Sequence, residues 1–152
     1  MIRVTRLEGK RLLCRAGRHQ IITDRKLEDG GSDSGCSSGE LLLLAIGSCA
    51  TGSIRTFLQA NHLPARDLMV DVAFIPADVA GERDAIAITV SLTADFPSQH
   101  LDAVKTAAVS GGVVSRILLG SRVEVTVLQQ AHDTARDSAT PTNDRRGQPW
   151  MP

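Results

Sequence analysis

Three cysteines, and the arginines that could lie beside one of them, are the residues of this 152-residue chain best suited to covalent chemistry. A thiolate attacks soft electrophiles, and an ordinary thiol with a pKa of about 8.5 is only a few per cent thiolate at neutral pH. A useful thiol therefore needs a shielded, electropositive setting. Cys49 lies near the middle of SSGELLLLAIGSCATGSIRTFLQAN, residues 37–61. On a 3.6-residue period its own face carries Leu42, Ala45, Ile46, Gly52, Ser53 and Thr56. That face is apolar before the cysteine and small after it, leaving room beside the sulfur. The same residues also fit a plain buried helix, because free cysteine is among the most buried residue types. Cys14 lies with Arg11 and Arg15 in the strand-like run RLLCR and reads as core. Cys36 lies in a polar, glycine-rich loop. Arg15 and Arg18, taken alone, read as solvated strand or turn charges.

The elements that must hold these residues follow from periodicity. Residues 2–7, 11–15 and 19–23 are short strand patterns, and residues 24–36 form a polar loop. Ser37 followed by Glu40 is a capping-box start for the 37–61 helix. The six-residue apolar run Leu41–Ile46 is too short to span a bilayer. Residues 67–76 and 84–94 alternate and read as an antiparallel hairpin. Pro97 opens a second helix over about 98–119, weakened at Gly111-Gly112, and residues 122–128 make a last strand. Three strands, helix, two strands, helix, strand is an α+β order. The first helix is apolar nearly all round at its start, so one sheet cannot cover it and a partner subunit is expected. Residues 1–130 form the domain, and residues 131–152, polar and without period, form a loose tail in which Trp150 is the only aromatic.

Composition removes several function classes. Seventeen basic and seventeen acidic residues give zero net charge, which argues against a nucleic-acid or membrane surface. Three cysteines without a disulfide framework, and no visible signal peptide, suit the cytoplasm. His19, His62, His100 and His132 have no zinc-ligand spacing, and GGSDSG lacks the lysine of a phosphate loop. No metal or cofactor is expected.

Three runs carry a resemblance: GRHQIITD, then GGSDSG, then ELLLLAIGSC. Together they resemble the OsmC/Ohr family of osmotically inducible and organic-hydroperoxide-resistance proteins. VVSRIL at 113–118 and RVEVTV at 122–127 are similar to its later segments, so the likeness covers about residues 10–128. The resemblance implies an α+β fold of antiparallel sheets on two central helices, in an intertwined homodimer with thiol sites at the subunit interface. It implies reduction of organic hydroperoxides by Cys49, with an arginine of the N-terminal strands beside it; Arg15 fits by its R-x-G spacing and Arg18 competes. Two positions depart from the active pattern. Gly112 stands where the second cysteine belongs, and Gly39 where Ohr-type peroxidases carry a glutamate. The usual disulfide relay is therefore missing, leaving Cys36 or an external thiol to resolve an oxidised Cys49. The alternative is a non-catalytic relative that binds an apolar small molecule or senses oxidants at the dimer interface.

Overall fold

The computed structural model describes residues 1–78, 84–111 and 122–130. The element order is β1 (Ile2–Arg6), β2 (Leu12–Ala16), β3 (His19–Thr23), α1 (Ser38–Ala60), β4 (Met69–Ile75), β5 (Ala85–Thr93), α2 (Leu101–Ser110) and β6 (Arg122–Gln130). The α+β expectation holds, and every element but one has both boundaries within two residues of the sequence reading. The exception is the second helix. A 3-10 turn at Ser98–His100 leads into α2, which stops at Gly111, whose φ and ψ of −105° and 137° are extended. Gly111 ends the helix because nothing favours helical dihedrals in a glycine pair. The remainder of the expected helix, residues 112–119, lies outside the described residues, as do the 131–152 tail and Trp150.

The strands form two three-stranded sheets, ordered β1-β2-β3 and β4-β5-β6. The first is antiparallel throughout, and so is the β4–β5 hairpin. The pair β5–β6 is parallel, from Ala85↔Arg122 to Thr93↔Gln130, which corrects the expectation of antiparallel sheets. The reason is connectivity. A parallel partner needs a long crossover, and the segment carrying α2 between β5 and β6 supplies one.

The core lies between α1, α2 and one face of the second sheet. Ile46, Ala50, Ile54 and Leu58 recur every fourth residue on α1 and are at most 2% exposed. They pack with Ile88, Val90 and Leu92 of β5 and Val104, Ala107 and Ala108 of α2. Strand alternation puts Val70, Val72, Val123, Val125 and Val127 against the same cluster. Each fully buried aliphatic side chain contributes about 1.5–3 kcal/mol.

The first sheet takes no part in that core. β1 and β3 are exposed along most of their length, with Ile2, Val4 and Ile21 open to solvent. Cys14, paired with Val4 on one side and Ile21 on the other, shares this apolar face and is only half-buried in the protomer. Its expected core position is not reached among the described residues of one chain, because neither α1 nor α2 covers this sheet. On α1, likewise, Leu42 and Leu44 remain 56% and 61% exposed. The 23-residue helix is long and apolar enough by length and composition to cross a membrane, so the six-residue run understates its apolar length. Only 28% of its most apolar window is buried.

The capping box is present in both directions. Ser37 Oγ accepts from the Glu40 N–H at 3.2 Å, and the Ser37 N–H donates to Glu40 Oε2 at 2.7 Å. The loop before it is built around a carboxylate that periodicity does not reveal. Asp24 is 4% exposed. Its Oδ2 accepts from the Ser32 hydroxyl at 2.6 Å, the Ser34 hydroxyl at 3.0 Å and the N–H groups of both serines. Its Oδ1 accepts from the Arg25 N–H at 2.8 Å, while the Asp24 N–H donates to the Cys36 carbonyl at 3.2 Å. Gly31 passes so close to the Arg25 backbone that a Cβ there would overlap it. The loop is thus tied back to the end of β3 just before α1 begins.

The Ser32 hydroxyl, opposed by burial and helped by the backbone donors of Ser34, Arg25 and Ser32, holds the Asp24 carboxyl well below the usual carboxylate range. A carboxyl depressed in the folded state stabilises the fold above its unfolded pKa of about 3.9. That contribution is lost as pH falls through the lower folded value. Asp24→Asn is expected to lower Tm by roughly 4 °C or more at pH 7. The gap from wild type should narrow as both are melted below about pH 4. A gap that stays constant with pH would show that the charge is not what matters.

Candidate functional site

Cys49 sits half-buried on α1, on the wall of an open groove of about 800 Å³ between α1 and α2. From α1 the groove takes Cys49, Gly52, Ser53, Thr56 and Phe57. From α2 and its end it takes Ala103, Thr106, Ala107, Ser110 and Gly111. Sequence periodicity put Gly52, Ser53 and Thr56 beside Cys49, and all three line the groove with it. The small residues make the space, as their size requires. The close approach of α2's end was not legible in sequence: a Cβ at Gly111 would overlap the Ser53 side chain, so glycine lets the two helices meet there.

The groove's own chemistry is quiet. Ser53 Oγ donates to the Cys49 carbonyl at 3.0 Å and Thr56 Oγ1 to the Gly52 carbonyl at 3.0 Å, each turned back on its helix. Among the described residues that line the groove there is no charged side chain and no second thiol. A group that favours a thiolate or polarises a peroxide must therefore come from elsewhere.

Arg15 and Arg18 do not reach this groove within one protomer. Arg15 lies in β2, opposite Arg3 on β1 and Gln20 on β3, and is exposed. Arg18 is exposed in the turn between β2 and β3. Cys36 is also elsewhere. It lines a second groove of about 970 Å³, on another side of α1, with Asp33, Glu40, Leu43, Ser48 and Asp71. Cys36 precedes the cap Ser37, and Cys49 lies twelve residues beyond that cap. At about 1.5 Å per residue the two are roughly 18 Å apart along the axis. A disulfide needs Cα atoms within about 7 Å. Cys36 and Cys49 of the same protomer are thus not brought together. Glu40 belongs to the Cys36 groove and to the cap, with Lys26 at 4.0 Å; the Ser37 N–H and hydroxyl hold its pKa low. No group of three or more His, Cys, Asp or Glu side chains that could hold a metal occurs among the described residues.

The family model for OsmC-like proteins matches residues 31–128, which include Cys49, both helices and the second sheet. The chain belongs to the OsmC-like protein family. Solved structures share its fold at low identity. An OsmC-like protein from Mycoplasma pneumoniae is 15% identical with a TM-score of 0.68, over 85% of this chain and 96% of that one. An organic hydroperoxide resistance protein OsmC from Legionella pneumophila is 14% identical with a TM-score of 0.62, over 84% and 95%. An organic hydroperoxide resistance protein from Elizabethkingia anophelis is 13% identical with a TM-score of 0.65, over 86% and 96%. No curated protein matches. In this OsmC-like chain the 37–61 helix, one of the segments that carried the resemblance, bears the thiol. The glycine-rich loop, another of them, leads into that helix and lines the other groove. Gly112, the position expected to have lost the second cysteine, lies outside the described residues, one residue beyond the groove wall at Gly111.

Proposed function

We propose that this OsmC-like protein is a thiol peroxidase that reduces organic hydroperoxides with Cys49. The observation that carries the reading is a half-buried thiol beside a groove large enough for an organic substrate, in a family whose structural neighbours include proteins named for hydroperoxide resistance. The Cys49 thiolate attacks the outer oxygen of ROOH and the O–O bond breaks. Cys49 becomes a sulfenic acid, and the alkoxide leaves and takes a proton as ROH. An external thiol R′SH then condenses with the sulfenic acid, releasing water and leaving a mixed disulfide. A second thiol restores Cys49 and departs as R′SSR′.

The working unit in this reading is a homodimer. Its support is the apolar surface that one chain leaves open: Leu42 and Leu44 on α1, and Ile2, Val4 and Ile21 on the first sheet. Arg15 projects from the face opposite that of Val4, Cys14 and Ile21. Burying that apolar face of a partner's first sheet against α1 therefore leaves Arg15 outside, and Arg18, in the β2–β3 turn, is the arginine that could approach Cys49. A guanidinium there favours a thiolate and stabilises the departing alkoxide. The test of the resolving step is turnover. Without added thiol, hydroperoxide consumption is expected to stop near one equivalent per Cys49; with excess dithiol it should continue. Consumption that ignores added thiol would overturn the external-thiol step.

The uncharged, mostly apolar lining of the Cys49 groove favours a second reading, a non-catalytic dimer that binds an apolar molecule or senses oxidants there. It predicts ligand-dependent stabilisation without hydroperoxide consumption.

A further inference from the structure

We propose that Arg3, Arg15 and Gln20 form an oxyanion site on the first sheet, one that takes a carboxylate or phosphate group. The antiparallel register sets Arg3 directly opposite Arg15, and Arg15 directly opposite Gln20. Residues paired this way project from the same face, with Cβ atoms about 4.5–5.5 Å apart. Two guanidiniums and a side-chain amide therefore stand in one row across all three strands.

Like charges directly opposite on a sheet are destabilising, and no carboxylate among the described residues offsets them here. The three strands carry Arg3, Arg6 and Arg15 and no acidic residue, although the chain as a whole is neutral. Among the described residues neither Arg3 nor Arg15 has an ion-pair partner. The neighbouring carboxylates are engaged elsewhere: Glu8 with Arg11 at 3.7 Å, and Asp24 inside its serine loop. A row of this kind lacks one component, an anion with several acceptor oxygens. Guanidinium forks match such oxygens two at a time, and the Gln20 amide adds a neutral donor beside them. The site does not depend on the peroxidase reading, because the row lies on the sheet face opposite the apolar one and neither Arg3 nor Gln20 has a part in the Cys49 chemistry proposed above.

The test is the melting of the full chain in rising inorganic phosphate or acetate, with sodium chloride holding the ionic strength constant. A site that binds only the folded state raises Tm along a saturating curve. Arg3→Gln is expected to weaken half-saturation at least about tenfold, the loss of one charge-assisted bidentate contact. Arg3→Lys, which keeps the charge but not the fork, should recover only part of it, and Lys10→Gln, in the β1–β2 turn, should respond as wild type does. Saturation by phosphate but not acetate assigns the site to phosphate groups, and the reverse to carboxylates. An equal response to chloride, or an unchanged response in Arg3→Gln, overturns the proposal. So does a wild type that ignores both anions while Arg3→Gln loosens self-association, since the counter-charge would then be a second copy's carboxylates.

Discussion

Cys49→Ser, exposed to an organic hydroperoxide, is expected to gain no oxygen by intact mass and to consume no peroxide beyond a protein-free control. Wild type under the same conditions should gain one oxygen and hold it as a sulfenic acid. Cys49 is the only one of the three cysteines on the α1–α2 groove, and no second thiol lines that groove among the described residues. The first oxidation product therefore has no neighbour to trap it. Excess peroxide should drive it on to the sulfinic acid, whereas a resolving thiol would have diverted it into a disulfide. Cys36→Ser should behave as wild type, because Cys36 opens on the other groove. Cys14, by contrast, lies on the apolar face of the first sheet, so Cys14→Ser tests whether a partner's thiol reaches Cys49. Arg18→Ala should slow the first step by about 10–100-fold, the scale expected for loss of one charge-stabilising donor. If Arg15→Ala does so and Arg18→Ala does not, the first sheet presents its Arg3–Arg15 face to the thiol instead of its apolar face. Peroxide uptake persisting in Cys49→Ser would place the chemistry on another residue.

Ile54→Ala carries the largest expected effect on stability. Ile54 is fully buried at the centre of the α1 stripe, against β5 and α2. Truncating a buried isoleucine removes its transfer energy and leaves a cavity, together costing about 2–5 kcal/mol. For a chain of this size that corresponds to a fall in Tm of roughly 5–15 °C. Ile54 lies five residues after Cys49, about 140° round the helix, so the groove wall itself is untouched. Below the melting transition Cys49 should still react, and the loss should appear as heat sensitivity. Leu42→Ala separates core from interface. Leu42 is 56% exposed in the protomer, so by surface rules it should cost less than about 0.5 kcal/mol. A larger loss, growing as protein is diluted, would report the second subunit covering it.

Most of the fold was legible because its signals are local. Ser37 and Glu40 mark the start of α1 and close the capping box there. Alternation through Ile86, Ile88 and Val90 marks β5. The glycine pair reads in sequence as a weak point within a helix to about 119, whereas α2 ends at Gly111. The parallel pairing of β5 with β6 was not legible, since both strands alternate as hairpin strands do and direction depends on the crossover between them. Asp24 was missed for the same kind of reason. Its partners, Ser32 and Ser34, lie eight and ten residues on, and only the folded loop gathers them. At the site, helical spacing was enough to set Gly52, Ser53 and Thr56 beside Cys49. It could not show that Gly111 abuts Ser53, a contact between two helices distant in sequence. Nor could it show that Arg15, Arg18 and Cys36 stand apart from that groove within one chain.

The most direct test of the central claim is the second-order rate constant of wild-type Cys49 with an organic hydroperoxide, set beside that of an unstructured peptide carrying residues 45–53 at the same pH. A peroxidatic thiol, shielded in its groove and served by a neighbouring guanidinium, is expected to react at least about 100-fold faster than the peptide. Equal rates would contradict the account: Cys49 would then be an untuned helix cysteine, and the groove beside it a binding site.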